Sequence, residues 1–377
     1  MTATAHDGLY LGLISGTSAD GVDVALAEFS GTAPPRLHAA RTMPYEDTLR
    51  RAILELAQGE GAFDLDRYGA LDVRIGLAFA TAANTVLREA GVPAQDVRAI
   101  GSHGQTVRHR PGGAHPFTLQ LGDATVIAEH TGIATVADLR RADVAAGGQG
   151  APLLPILHAA LLAQAGEARA VLNLGGIANL TLLDGAGGVR GFDTGPANAL
   201  LDAWCARQGG GSCDRDGALA AAGEVDEALL ARLLADPYFA LAPPKSTGRE
   251  YFHLHWLDAQ LGDRPRRAAD VQATLLMLSV RSIAQALHAH APQTRRVWAC
   301  GGGVHNPVLM AALAQALPCP LHSTAAAGVD PDFIEALAFA WLARAHLRGE
   351  PGNLPSVTGA RGPRVLGALY PAPPIRP

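Results

Sequence analysis

Four groups of residues in this chain have the types and spacing that chemistry requires. The first is Ser15-Gly16-Thr17-Ser18-Ala19-Asp20-Gly21-Val22-Asp23. Its small residues let the backbone come close to a ligand, and its hydroxyls and N–H groups can donate to phosphate oxygens. Two acids, Asp20 and Asp23, are odd in a phosphate cradle unless a metal ion lies between them and the phosphates. An ordinary hairpin turn is the competing reading; so dense a mixture of glycine, hydroxyl and acid favours a site. The second group is Gly191-Phe192-Asp193-Thr194-Gly195-Pro196-Ala197-Asn198. Asp193 closes a short strand just before an expected helix start, the place where α/β proteins put catalytic groups. A carboxylate there can serve as a general base. It could also cap the helix, although Thr194 and Gly195 stand nearer the cap position.

The third group joins Gly175-Gly176 with Gly301-Gly302-Gly303 and Asn306. Both glycine runs follow apolar strands and could admit a phosphate and a nucleoside to the backbone. Each is also compatible with a plain loop. The fourth comprises Gly101-Ser102-His103-Gly104-Gln105-Thr106, Asp138-Leu139-Arg140-Arg141-Ala142-Asp143 and Gly147-Gly148-Gln149-Gly150. These polar clusters suit a polyhydroxyl substrate with a carboxylate, which arginine binds bidentately. Surface salt bridging is the simpler explanation for Arg140 and Arg141.

Several familiar chemistries are absent. Lys245-Ser246-Thr247 lacks the glycines of a P-loop, and no GxGxxG opens a helix after a strand. Ser15 and Ser18 do not lie in GxSxG. His253-x-His255 and His288-x-His290 do not match a helical metal pair, so no residue is assigned as a metal ligand.

These groups need a scaffold, and the chain is long enough to build one. It has 377 residues, 48% of them hydrophobic and 17% charged, with a net charge of -5. That balance disfavours disorder and disfavours a broad basic surface for nucleic acid. Cys205, Cys213, Cys300 and Cys319 form no CxxC pair, so reduced thiols are expected. The N-terminus lacks a basic region, and no window reads as a membrane helix. A soluble, cytoplasmic, globular protein is expected.

Strand-like and helix-like runs alternate, which argues α/β. Strands are expected over Leu9–Ser15, Val22–Phe29, Leu37–Thr42, Val97–Gly101, Thr118–Gly122, Ala168–Leu174, Ile177–Leu183, Gly191–Thr194 and Arg296–Cys300. Helices are expected over Tyr45–Gln58, Asp64–Ala90, Pro196–Arg207, Asp270–His290 and Asn306–Leu317, with a last one from Asp330-Pro331 to about Leu347. "LYLGLISGTSADGVDVALAEF" and "RAVLNLGGIANLTLLDG" share one plan, a strand, a glycine turn and a returning strand. Two lobes, each opening with such a hairpin, are the expectation; two unrelated hairpins are the alternative.

Taken in order, "GLISGTSADGVDVAL", "GSHGQTVRH", "TLQLGD", "VADLRRADVAAGGQGAPLLP", "NLGGIANLT", "GFDTGPANALLDAW", "PPKSTGREYF", "CGGGVHNP" and "FIEALAFAWLA" make the chain resemble the anhydro-N-acetylmuramic acid kinases over roughly residues 9 to 370. Only Ala19 and Leu139 depart from that pattern, apolar for apolar. The resemblance implies a two-lobed, duplicated actin-like ATPase fold (sugar kinase/Hsp70/actin) with a central ATP cleft. It implies an N-terminal lobe of 1–135 with about 350–377, and a C-terminal lobe of 136–349. It also implies conversion of 1,6-anhydro-N-acetylmuramic acid, ATP and water to N-acetylmuramic acid 6-phosphate and ADP, in cell-wall recycling. ATP with Mg²⁺ would lie against Gly16, Thr17, Ser18, Ala19, Asp20, Gly21, Val22 and Asp23, against Gly175 and Gly176, and against Gly301, Gly302, Gly303 and Asn306. Asp193 would be the catalytic base, and His103, Gln105, Asp138, Arg140 and Glu335 would meet the sugar. A homodimer is implied, with no nucleic-acid or membrane partner. A plain hexose or amino-sugar kinase, a non-sugar ATPase or non-catalytic ATP-binding module of the same fold, and a metal-dependent hydrolase built on Asp20, Asp23 and histidines are the other readings.

Overall fold

A computed structural model describes residues 6–16, 18–31, 33–58, 64–249, 251–262 and 265–374. The principal elements begin with β1 (Gly8–Ser15), β2 (Gly21–Phe29), β3 (Arg36–Pro44), α1 (Asp47–Gln58), α2 (Leu65–Ala90), β4 (Val97–Arg110), β5 (Phe117–Leu121) and β6 (Thr135–Ala137). They continue with β7 (Arg169–Leu174), β8 (Ile177–Leu183), β9 (Val189–Pro196), α3 (Asn198–Arg207) and α4 (Ala268–His290). The last are β10 (Arg296–Cys300), α5 (Pro307–Ala316), β11 (Leu321–Ser323), α6 (Ile334–Leu347) and β12 (Ala368–Tyr370).

The chain divides into two compact units, Met1–Ala160 with Phe333–Pro377, and Leu161–Asp332. These bounds differ from the expected 135/136 and 349/350 divisions for a physical reason. β6 pairs with β4, and α6 packs on β1, β2 and β4, so residues 136–160 and 333–349 go with the first sheet.

In the first unit the sheet order is β12-β6-β4-β1-β2-β3, with β5 beside β4. β1, β2 and β3 form an antiparallel meander, and β4 and then β6 run parallel to β1. β1 is apolar along its length because both of its faces are covered. Leu11 and Leu13 join Ile75, Phe79 and Val86 of α2 in one core. On the other face α6 lies directly on the backbone. A Cβ at Gly12 would stand 1.7 Å from Ala336 O, and one at Gly101 1.9 Å from Phe339 O. α2 is held at both ends: Asp64 accepts from Asp66 N, and Gly91 closes the helix in the left-handed region. By length and composition α2 is the one described helix apolar enough to cross a membrane, which the sequence reading did not foresee. More than half of its apolar window, 56%, is buried inside the unit.

The second unit repeats the plan. Its order is β11-β10-β7-β8-β9: an antiparallel meander β7-β8-β9, then β10 and β11 parallel to β7. Without β5 and β12, the two sheets have the same topology, and the expected duplication is present as a fold. Several element bounds shift, among them β4, which runs on to Arg110. Pro196 ends β9, paired with Ile177, rather than starting a helix, and α3 begins at Asn198. The last helix starts at Ile334, because Pro331 O is taken by Gly301 N and Asp330 accepts from Asp332 N in a turn.

Candidate active site

In both sheets the chemistry-bearing residues collect where the parallel strands end, the edge at which open α/β sheets place ligands. In the first unit this edge carries the turn after β1. Ser15 Oγ donates to Gln105 Oε1 (2.6 Å), and Gln105 Nε2 donates to Gly16 O (3.0 Å). Gln105 is therefore a brace across β1 and β4, with both ends of its amide on the turn. Ala19 N donates to Gly16 O, and Tyr45 N to Asp20 O, which closes the loop. Val22 and Ala19 point into the core, so only their backbones can meet a ligand. The two acids point outward. Arg50 Nη2 donates to Asp20 (3.0 Å), and the Thr42 hydroxyl donates to Asp23 (2.5 Å). Thr17 lies outside the described residues.

Beside that turn, β4 and β6 bring a second set together. Arg140 Nε donates to His103 Nε2 (2.9 Å), so His103 accepts there and its Nδ1–H donates to Gly104 O (2.9 Å). Burial, reinforced by the Arg140 charge, holds the His103 pKa well below the ordinary imidazole value, as an accepting nitrogen requires. Burial also lowers Arg140 to about 10, while the charges of Glu335 and Asp143 oppose that shift. Arg140 Nη1 donates to Gly150 O (2.6 Å). Asp143 fixes this carbonyl from behind: its Oδ2 accepts from Gly150 N (2.7 Å), and its Oδ1 from Asn353 and Thr358. His103, Arg140 and Glu335 thus form one group. Asp138 does not join it; its carboxylate faces Arg141 (3.3 Å) and the Tyr370 hydroxyl (3.3 Å).

In the second unit the two glycine turns lie side by side after β7 and β10. A Cβ on Gly303 would meet Leu174 Cβ at 2.6 Å, the residue just before Gly175. The Gly175 and Gly176 carbonyls accept from Asn198 N, Ala197 N and Ala199 N, so the turn itself closes the start of α3. Asn306 caps α5, its Oδ1 accepting from Leu309 N (3.0 Å).

Asp193 sits in β9 beside a bulge. Asn179 pairs with Asp193 and Ala178 with Gly195, so Thr194 is the extra residue. Bulges re-aim neighbouring side chains. Asp193 caps no helix. Its Oδ2 accepts from Thr247 N (3.0 Å), and its own N donates to Lys245 O (3.1 Å). The Tyr238 hydroxyl donates to Asp193 O (2.8 Å), and Lys245 Nζ donates to Tyr238 O (3.2 Å) while standing over the Tyr238 ring. Burial lowers the Lys245 pKa, and the Asp193 charge opposes that; burial and the same charge both raise Tyr238. Sequence reasoning assigned no role to Tyr238 or Thr247, and it gave Asp143 a place in a polar cluster without its partners. The run Lys245-Ser246-Thr247 was seen as a failed P-loop and as part of the family motif "PPKSTGREYF".

The repeated sheet, with a glycine turn after the first strand of each copy, marks the class: a duplicated mixed α/β fold. Comparison with known proteins narrows it. The family model described as "Anhydro-N-acetylmuramic acid kinase" matches residues 8–372. A curated anhydro-N-acetylmuramic acid kinase of Xanthomonas campestris pv. campestris is 60% identical over 370 residues, covering 97% of this chain and 98% of that one. The kinase of Bordetella petrii is 53% identical over 368 residues, covering 97% and 96%. The chain belongs to the anhydro-N-acetylmuramic acid kinase family. Among solved structures, the activator of the 2-hydroxyisocaproyl-CoA dehydratase from Clostridium difficile is similar with a TM-score of 0.47 at 12% identity, covering 90% of this chain and 96% of that one.

Proposed function

We infer that this chain phosphorylates 1,6-anhydro-N-acetylmuramic acid with ATP and opens its anhydro ring with water, yielding N-acetylmuramic acid 6-phosphate and ADP. One observation supports the residue assignment most: Asp193 stands at a bulged strand end with its carboxylate held by Thr247 N, while Ala197 takes the N-cap position of the helix that follows.

The substrate's chemistry explains why a base is needed. In an ordinary sugar kinase the base removes a hydroxyl proton. Here O6 is tied to C1, and no such proton exists. Asp193 takes a proton from water as the water oxygen attacks C1. The C1–O6 bond breaks with its electron pair going to O6, which attacks the γ-phosphorus. His103, Arg140 and Glu335 hold the sugar, with Arg140 suited to its lactyl carboxylate. Gln105 acts through the turn it braces. Asp138 has a place at the sugar only through Arg141 and Tyr370. The backbone of Gly16–Asp23 and of Gly175-Gly176 receives phosphates, and the Gly301–Gly303 turn with Asn306 receives the nucleoside side.

Mg²⁺ is expected with the nucleotide. Asp20 and Asp23 offer the oxygen donors a hard cation takes, and the ion, when bound, offsets phosphate charge. A cytoplasmic homodimer acting in peptidoglycan recycling belongs to the same reading.

Replacing Asp193 tests this directly. Asp193→Asn keeps the hydrogen bond to Thr247 N and loses the base. It should bind ATP as the native chain does and lose about 10²–10⁴-fold in kcat. Native-like turnover would remove Asp193 from the mechanism.

A further inference from the structure

The segment Lys245–Arg249 ties the Asp193 position to the Gly176 turn. Its first part is pinned to Asp193 by the Lys245 O and Thr247 N hydrogen bonds described above. Its last residue reaches the glycine turn: a Cβ on Gly176 would stand 3.4 Å from both Nε and Nη2 of Arg249. The root of this arginine is held, because Gly248 O accepts from both Tyr251 N and Phe252 N (3.1 Å each), and Phe252 is buried. Tyr251 Oη and Trp256 Nε1 both donate to Asp236, which fixes the far side of the turn. Arg249 is an exposed residue, and among the described residues no carboxylate forms an ion pair with it. Its planar fork matches two oxygens of a phosphoryl group, and a turn without side chains leaves room for one.

We propose that Arg249, lying on the Gly175-Gly176 turn and tethered to Asp193 through the Thr247 segment, is a further catalytic residue that contacts the γ-phosphoryl group of ATP during its transfer. This rests on the kinase reading above. In that step the O6–Pγ bond forms, and the Pγ–O bond to the β-phosphate breaks with its electron pair leaving on ADP. The proton from water goes to Asp193. Arg249 exchanges neither proton nor electrons; it offsets the charge spread over the equatorial phosphoryl oxygens.

The test compares the native chain with Arg249→Ala and Arg249→Lys, measuring kcat, the KM for the anhydro sugar, and thermal melting. Arg249→Ala should melt with the native chain, since the side chain is exposed, and lose about 10²–10³-fold in kcat with little change in sugar KM. Arg249→Lys should fall between, and free guanidinium should restore part of the alanine variant's rate but none of that of Asp193→Asn. A kcat for both variants within about twofold of native would overturn the proposal, as would a raised sugar KM at unchanged kcat. Failure of the kinase reading looks different: the native chain itself would then make no sugar 6-phosphate.

Discussion

Three histidines of the first unit are kept neutral by burial, and that has a measurable cost in acid. His103 lies well below the ordinary value, His109 is lowered to about 4, and His158 to about 3, each chiefly by desolvation. Above about pH 6.5 neither the folded nor the unfolded chain protonates these rings, so nothing is lost. Below it the unfolded chain takes up protons that the folded one refuses, and stability falls towards the folded pKa. For fully buried His158 that amounts to about 1.4 kcal/mol per pH unit, or about 2 kcal/mol at pH 5. Urea unfolding at pH 8 and pH 5 should show a His158→Gln variant losing about 2 kcal/mol less than the native chain over that range. Equal losses would mean that His158 titrates normally in the fold. At this scale the sequence marked Asp193 and the glycine runs through local context, whereas Arg140 was read locally as a surface salt-bridging residue and drawn to the site only by the family resemblance. It could not pair Thr247 with Asp193, 54 residues away, or give the Asp143 carboxylate its partners Asn353 and Thr358, 210 and 215 residues away. Nor could it separate Gln105, which braces the turn after β1, from His103 two positions earlier on the same strand.

Among the elements, the contact of α6 with β1 and β4 sets the tightest constraint, because the helix backbone touches the strands where they lack side chains. Gly12→Ala places a methyl group inside the Ala336 carbonyl and 2.6 Å from Ala340 N, both backbone atoms that cannot swing away. It should destabilise the fold by about 3 kcal/mol or more, the upper range for overpacking. Gly69→Ala is the natural contrast. It lies inside α2 with nothing within 4 Å of a new Cβ, and should stabilise by about 0.5–1 kcal/mol. Denaturant midpoints moving in opposite directions would bear this out; a neutral Gly12→Ala would contradict the described packing. The long strands and helices were legible because their apolar periodicity is sustained. β6, β11 and β12, three residues each, gave no such signal. β4 was read only to Gly101 because its continuation, Ser102–Arg110, is polar; its pairing with β5 carries it on. The helix start expected at Pro196 failed because the β8 pairing holds that proline in the strand.

For the molecule as a whole, the repeated sheet explains why two glycine-rich hairpins could be seen in the sequence at all. Each is the first two strands of the same five-strand plan, and each places its turn at the edge where the parallel strands end. The bounds of the units could not be read the same way. They depend on α6, a helix late in the chain that returns to the first sheet, and no local signal announces that return. Within the first unit lie the first glycine turn and the His103–Arg140–Glu335 group, and within the second lie Asp193 and the second turn. The central claim is that water opens the sugar ring while ATP phosphorylates O6. Mass spectrometry of the product formed from ATP, Mg²⁺ and 1,6-anhydro-N-acetylmuramic acid in ¹⁸O-water tests it most directly. The account predicts a product heavier by one phosphoryl group and one water, with the label on C1. ADP released without a sugar product, or a phosphorylated sugar carrying no label, would contradict it.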